Sequence, residues 1–337
     1  MSIIHKPRKR FLRFVGVGAV VVFGILSTLG SGGGGDGGSS GGGGGGTSVT
    51  AFNFNASNSL TAAQYAASVL AFFPDYNQIA LGVLDTLTSS NPSNSPFDLA
   101  GCSNVSGPTL SWNDVDSSGD LSAGDTATLD FNNCDLDGGG SFVTGTLGIT
   151  VNSASFGALP NSFDVTVSIN LTIITGSDTS VIAGSFGHTA TTTNGTDFTS
   201  TYSGTDSSNQ VVTDTENGSV LFKFGCFSVT QTFNVGSSSS YGLTASGVIN
   251  ASNAILSLAS GASLSFVSDQ LESGTQRLLS LANPSCANLD VGSGVSDSDG
   301  SYIDMEALGG GSVRLHTYDS SDVEFNTINT TWDALRN

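Results

Sequence analysis

The chain has 337 residues, 28 Asp and Glu against nine Lys and Arg, and 45 glycines. Five of the nine basic residues fall within the first 13 positions, so the remainder carries 28 acidic against four basic side chains, a net of −24. Such a balance repels phosphate backbones and anionic lipid surfaces alike; it argues against nucleic acid as a partner and fits a soluble protein that holds cations.

Lys6, Arg8, Lys9, Arg10 and Arg13 precede an apolar run from Phe14 to Leu29, the order of an export signal. The run is short for a membrane span, and Thr28 and Gly30 stand at the −3 and −1 positions of a cleavage site before Ser31. Residues 1–30 are therefore predicted to be a signal peptide, with an uncleaved anchor as the alternative and the only expected membrane contact. No cysteine precedes Cys102, which excludes a lipid anchor at Ser31. Residues 31–48 are Gly and Ser with one Asp and one Thr, a flexible tether of about 25 Å reach. Within it, Gly37-Gly38-Ser39-Ser40-Gly41 matches the serine-hydrolase elbow only formally, because an elbow requires a strand before it and a helix after it. The expected address is extracytoplasmic and of Gram-negative type: periplasm, cell surface or secreted.

Residues 49–285 read as a β-rich domain that opens with helices over 61–87. Thr61 and Gln64 have capping-box spacing, with Leu60 and Tyr65 placed like a staple across it. Tyr65, Val69 and Phe72 or Phe73 recur at helical spacing until Pro74, which predicts a break and a second short helix from Asp75 to Leu87 carrying Ile79, Val83 and Leu87 on one face. The pair is expected to cover a sheet.

The stretch Asp114 to Asp125 has the spacing of a twelve-position cation loop. Asp114, Asp116 and Ser118 offer oxygens at positions 1, 3 and 5, and Gly119 at 6 permits the sharp turn. Asp120 at 7 offers its carbonyl, Leu121 at 8 an inward apolar anchor, Ser122 at 9 a direct or water-mediated ligand, and Asp125 closes the loop at 12. Hard, flexible oxygen ligands suit Ca²⁺ better than Mg²⁺ or Zn²⁺. On these residues the loop resembles the calcium loop of EF-hand and dockerin-type modules, a likeness limited to about a dozen positions. It departs from that pattern at position 12, where Asp replaces Glu, and in its flanks, where 107–112 and 126–131 alternate like strands. The resemblance implies a structural calcium ion held near the extracellular range of affinity, roughly 10⁻⁴ to 10⁻³ M. The alternative is an Asp/Ser/Gly turn without metal.

Beyond Ser90 the pattern takes period two. Phe163 to Ile173 alternates without error and similar alternation appears at Val143 to Val151 and at Val220 to Cys226, whereas Phe227 to Val235 continues with shifted parity and predicts a bulge near Gly225. The expected fold is mainly β: a curved antiparallel sheet or partly open barrel with the helix pair packed against it. An outer-membrane barrel fits less well, because the polar faces are small Ser and Thr, no aromatic girdle is evident and the chain ends in a charged tail. Cys102, Cys134, Cys226 and Cys286 are even in number and predict two disulfides, paired sequentially, while the absence of Cys-x-x-Cys argues against zinc.

Residues 286–337 read as a small β unit, with Ser301 to Leu308 and Ser312 to Tyr318 as a hairpin about Gly309-Gly310-Gly311. Asp297-Ser298-Asp299-Gly300 opens like a second cation loop, but Ile303 and Met305 occupy its later positions, so a turn is expected. His188 and His316 have no nucleophile beside them in sequence and read as packed or surface residues. The functional expectation is a non-enzymatic cell-envelope or secreted protein with a structural Ca²⁺ loop and an envelope partner; a periplasmic carrier of an apolar ligand comes second, an outer-membrane barrel or an enzyme third.

Overall fold

A computed structural model describes residues 49–88, 109–135, 141–155, 159, 161–205, 210–234, 240–251, 254–281, 286, 289 and 297–336. The predicted signal and tether, Cys102 and the side chains of Ile79, Val83 and Leu87 lie outside this description. In chain order the elements are β1 (Thr50–Ala51), α1 (Ser59–Thr88), β2 (Thr109–Asn113), β3 (Thr126–Asp130), β4 (Cys134–Asp135), β5 (Ser141–Ser155), β6 (Asn161–Thr175), β7 (Asp178–Thr192), β8 (Asp197–Gly204), β9 (Val211–Glu216), β10 (Ser219–Asn234), β11 (Ser240–Ala251), β12 (Ala254–Val267), β13 (Gln270–Leu279), β14 (Tyr302–Gly309), β15 (Ser312–Tyr318), β16 (Glu324–Thr331) and α2 (Trp332–Arg336).

One large antiparallel sheet results, in which β5 to β8 and β10 to β16 lie in sequence order, β2 and β3 continue it beside β5, and β4 also pairs with β5. β8 and β9 run in succession through the space between β7 and β10, the first beside Gly187 to Thr192 and the second beside Ser180 to Gly184. β1 adds in parallel to β12. The edges are β2 and β16, and among the described residues they do not pair with each other. The C-terminal hairpins extend this sheet, since β14 pairs with β13 from Thr275 opposite Glu306 to Leu279 opposite Tyr302.

Alternation decides which face is inside. In β6 the side chains of Phe163, Val165, Val167, Ile169, Leu171 and Ile173 are all buried, while Ser168 and Asn170 face solvent. The predicted change of parity in β10 is present, with the register to β11 shifting between Gly225 and Ser228 and Cys226 at φ 49°. The bulge turns Cys226 toward Cys286, to which it is disulfide-bonded with a Cα–Cα distance of 5.6 Å. Cys134 is also disulfide-bonded.

The expected helix pair is a single helix. α1 continues through Pro74, although proline removes one helical hydrogen bond at a cost of about 3 kcal/mol. Burial on both sides of the proline offsets that cost: Phe73 and Tyr76 are almost wholly enclosed, Phe73 stacking on Tyr202 at 4.9 Å and Tyr76 meeting Phe186 edge-on at 4.9 Å. The helix also starts earlier than the Thr61 box suggests. Asn55 and Asn58 exchange hydrogen bonds through their Oδ1 atoms, and the Asn58 carbonyl accepts from Ala62 N. α1 lies across the strands on the apolar face, from Ser59, whose Oγ accepts from Thr317 Oγ1 of β15, to the aromatic residues of β7, β8 and β10. Trp332 and Leu335 of α2 are buried against the same core, Trp332 edge-on to Phe266. The space left beneath α1, lined by Val69, Phe72, Ile182, Asp214, Phe222 and Phe224, is a cavity of about 10 Å³, the room of one water.

Candidate metal centre

The Asp114–Asp125 loop joins β2 to β3, so its flanks are strands, as their alternation indicated. Gly119 adopts φ 77°, where a side chain would be disfavoured, and Ser117 beside it also takes the left-handed conformation at φ 55°. Leu121 is buried in the main core and pins the loop from below, filling the anchoring role assigned to position 8. Two backbone bonds of 2.8 Å, Gly124 N to Val151 O and Val151 N to Asp125 O, tie the closing end to β5.

Hydrogen bonds aim the carboxylates inward. Asp114 accepts from Ser118 N through Oδ1 (3.2 Å) and from Gly119 N through Oδ2 (2.8 Å). Asp116 accepts from Ser118 N (3.0 Å) and Ser122 Oγ (3.0 Å), and its pKa lies below the usual carboxylate value, chiefly through hydrogen bonding from Ser118. Asp125 is fully buried, with Val115 N donating to Oδ1 (2.9 Å) and Ser122 N to Oδ2 (2.7 Å). Ligand oxygens of Asp114, Asp116 and Asp125 lie within 4.8 Å of one another. Ser118 and Asp120 engage each other, Ser118 Oγ donating to the Asp120 carbonyl at 2.9 Å, and Ser122 Oγ bridges Asp116 and Asp125. Of the six predicted ligands, the carboxylates of Asp114, Asp116 and Asp125 thus converge, Ser118 and Ser122 donate to them, and Asp120 bonds to Ser118. The donor set is all oxygen and carries three negative charges with no basic side chain bonded to them among the described residues, so it fits a hard divalent cation and not zinc.

The other sequence-marked polar groups have structural places. Asp297 to Gly300 is a turn: its Asp299 Oδ1 accepts from Ser301 N, Asn53 bonds Asp297 O and Asp299 N, and Ile303 and Met305 are in the core. His316 lies on the outer face between Glu324 (3.0 Å) and Glu306 (3.3 Å), partners that strand register supplies. His188 is fully enclosed, with Nδ1 3.4 Å from the Tyr76 hydroxyl, its ring tilted over Tyr202 at 4.6 Å and Nε2 without a hydrogen-bond partner; burial pushes its pKa down to about 3. Asp178, Ser180, Asp214 and Glu216, which sequence reasoning passed over, share the inner face of β7 and β9. The signal was present in the parity of β9, where Asp214 and Glu216 alternate in phase with the buried Val212.

No protein-family model, curated protein or solved structure matches this chain.

Proposed function

We propose that the chain is an exported, non-enzymatic protein of the cell envelope or extracellular space, and that its Asp114–Asp125 loop holds a structural Ca²⁺ in the manner of the EF-hand and dockerin loops it resembles. The observation that carries this reading is the convergence of Asp114, Asp116 and Asp125, from positions 1, 3 and 12, within 4.8 Å. Three like charges so close repel, and a divalent cation would turn that repulsion into a clamp between the tip of the β2–β3 hairpin and β5. At about 1 mM calcium and a dissociation constant of about 10⁻⁴ M, mass action adds about 1.4 kcal/mol to the stability.

Two further features support the setting. The Cys226–Cys286 disulfide suits an oxidising compartment. The interior beneath α1 is filled by aromatic side chains, and its cavity of about 10 Å³ is far below the roughly 300–1,000 Å³ of small-molecule pockets, which favours a structural role over transport of an apolar ligand. The apolar faces of the long strands turn inward onto α1, the reverse of a lipid-facing barrel.

Calorimetric titration of Ca²⁺ into chelator-treated protein, beside Asp114→Ala and Asp116→Ala, tests the proposal. Saturable binding that both substitutions abolish, with a calcium-dependent rise in Tm of the wild type only, is the expected result. Absence of heat together with an unchanged Tm would reduce the loop to a turn.

A further inference from the structure

Of the two sheet edges, β16 is the longer, with eight residues against five in β2. Sheet edges are commonly guarded by Lys, Pro, an inward-pointing charge or a covering element. β16 contains no Lys or Pro, and its one charged residue, Glu324, stands at its start. The register shift opposite Thr317 and Tyr318 is confined to that same end and leaves Asn326 to Thr331 regular. Nor does α2 fold over the edge. Trp332 N donates to Gly311 O at 2.7 Å and the Trp332 ring meets Phe266 in the core, so the chain turns inward from there.

Antiparallel alternation fixes which backbone groups are free. Asn326, Ile328 and Thr330 stand opposite Thr317, Leu315 and Val313, and the bond from Trp332 to Gly311 continues the same even-numbered row, so these residues bond to β15. Thr327, Asn329 and Thr331 therefore turn their N–H and C=O groups to the open side, where no strand pairs among the described residues. The inner face is unfinished at the same place. Thr317, Leu315 and Val313 are buried, but Asn326, Ile328 and Thr330 are only half-buried, Ile328 packing on the core from one side. Asn326 Nδ2 has no hydrogen-bond partner.

We propose that β16 pairs antiparallel with β16 of a second copy of this chain, about a two-fold axis through Ile328. Thr327 and Asn329 of each copy then exchange backbone hydrogen bonds with Asn329 and Thr327 of the other. Ile328 meets Ile328 of the second copy at a non-hydrogen-bonded position, where side chains approach most closely. Asn326 comes opposite Thr330 of the second copy, whose Oγ1 accepts from Asn326 Nδ2 once the amide turns about χ2. Charge selects the orientation. Antiparallel pairing sets the two Glu324 side chains eight positions apart, about 27 Å and well beyond the Debye length of about 8 Å, whereas parallel pairing would place them side by side. Pairing of β16 with β2 of another copy would engage five residues at most and, being head-to-tail, would propagate into a filament.

Sedimentation equilibrium of the full chain over a concentration series tests the proposal, with a reversible mass twice that of one chain expected. Asn329→Pro removes an N–H that β15 does not use, which an edge strand tolerates, and takes one hydrogen bond per copy from the interface; the dimer should weaken at least about tenfold. Ile328→Cys should form a covalent dimer under mild oxidation, because the paired Cα atoms would lie about 4.5 Å apart, while Ser111→Cys on β2 should not. This cross-linking pair decides the matter should Asn329→Pro fail to fold. A chain that stays monomeric throughout the series, a dimer that Asn329→Pro leaves equally tight, cross-linking through Ser111→Cys in place of Ile328→Cys, or growth beyond the dimer would each overturn the proposal.

Discussion

The Asp114–Asp125 loop and the interior around His188 are both dense in polar atoms, yet they are built from different distances along the chain. Every side-chain hydrogen bond described for the loop's carboxylates is closed within ten residues. The interior joins Tyr76 to His188 across 112 positions, Asn77 to Ser200 across 123, and Tyr202 to Gln231 across 29. Local bonds aim oxygens at a point and leave them charged, whereas the long-range ones hold neutral groups among aromatic rings. The loop is suited to receive a cation, and the interior is suited to refuse one.

Truncating the interior should have the largest effect. Phe73 is fully buried and touches Phe186, Tyr202, Phe224 and Phe227. Phe73→Ala is expected to destabilise by about 3–5 kcal/mol in urea unfolding, whereas Phe73→Leu should lose less because it leaves a smaller void. A loss below about 1 kcal/mol would mean that α1 is not seated in the sheet and that the contrast drawn above fails.

The refusal of charge is testable by pH. His188 titrates at about 3 in the folded chain against about 6.5 when unfolded, so on acidification the unfolded chain takes up a proton that the folded chain does not. Stability from this residue is therefore intact above pH 6.5, falls as the pH drops below that value, and levels off near pH 3. The slope approaches about 1.4 kcal/mol per pH unit, giving about 2–3 kcal/mol between pH 6.5 and 4.5. Urea unfolding of the wild type and of His188→Phe across this range should show the wild type losing stability relative to the variant as the pH falls; a parallel pair of curves would place the imidazole in contact with water.

That contrast also sets what could be read from sequence. The convergence of Asp114, Asp116 and Asp125 was legible residue by residue, because these carboxylates, Gly119 and the buried Leu121 lie in one short stretch. So was the inner face of β6, because alternation needs no partner to be seen. The continuity of α1 through Pro74 was not, since the burial that outweighs the proline comes from Phe186, Tyr202 and Phe224, more than a hundred residues away. Nor was the enclosure of His188 by Phe163, Tyr76 and Tyr202, which register and helix docking bring together. Isolated in its Gly- and Thr-rich segment, that histidine carries no mark of its surroundings.

Within the loop, the three carboxylates are predicted to differ. Asp125 is buried and satisfies the backbone N–H groups of Val115 and Ser122, so Asp125→Ala should destabilise by about 1–3 kcal/mol even in chelator, by stranding those donors. Chemical denaturation with and without calcium separates this part from the metal-dependent one: the chelator value should already be lowered, and added calcium should not restore it.

Asp116 isolates the metal, because its carboxylate is exposed and accepts only from Ser118 and Ser122 of the same loop. Asp116→Asn keeps the shape and an acceptor oxygen while removing one of the three converging charges. In chelator its Tm should match that of the wild type, and in millimolar calcium it should fall behind, because only the wild type gains a ligand that binds the folded chain. Equal melting under both conditions would mean that Asp114, Asp116 and Asp125 converge for the sake of the turn alone. A lower Tm in chelator as well would move Asp116 into the same structural class as Asp125, and the division between aiming and bracing residues within the loop would have to be redrawn.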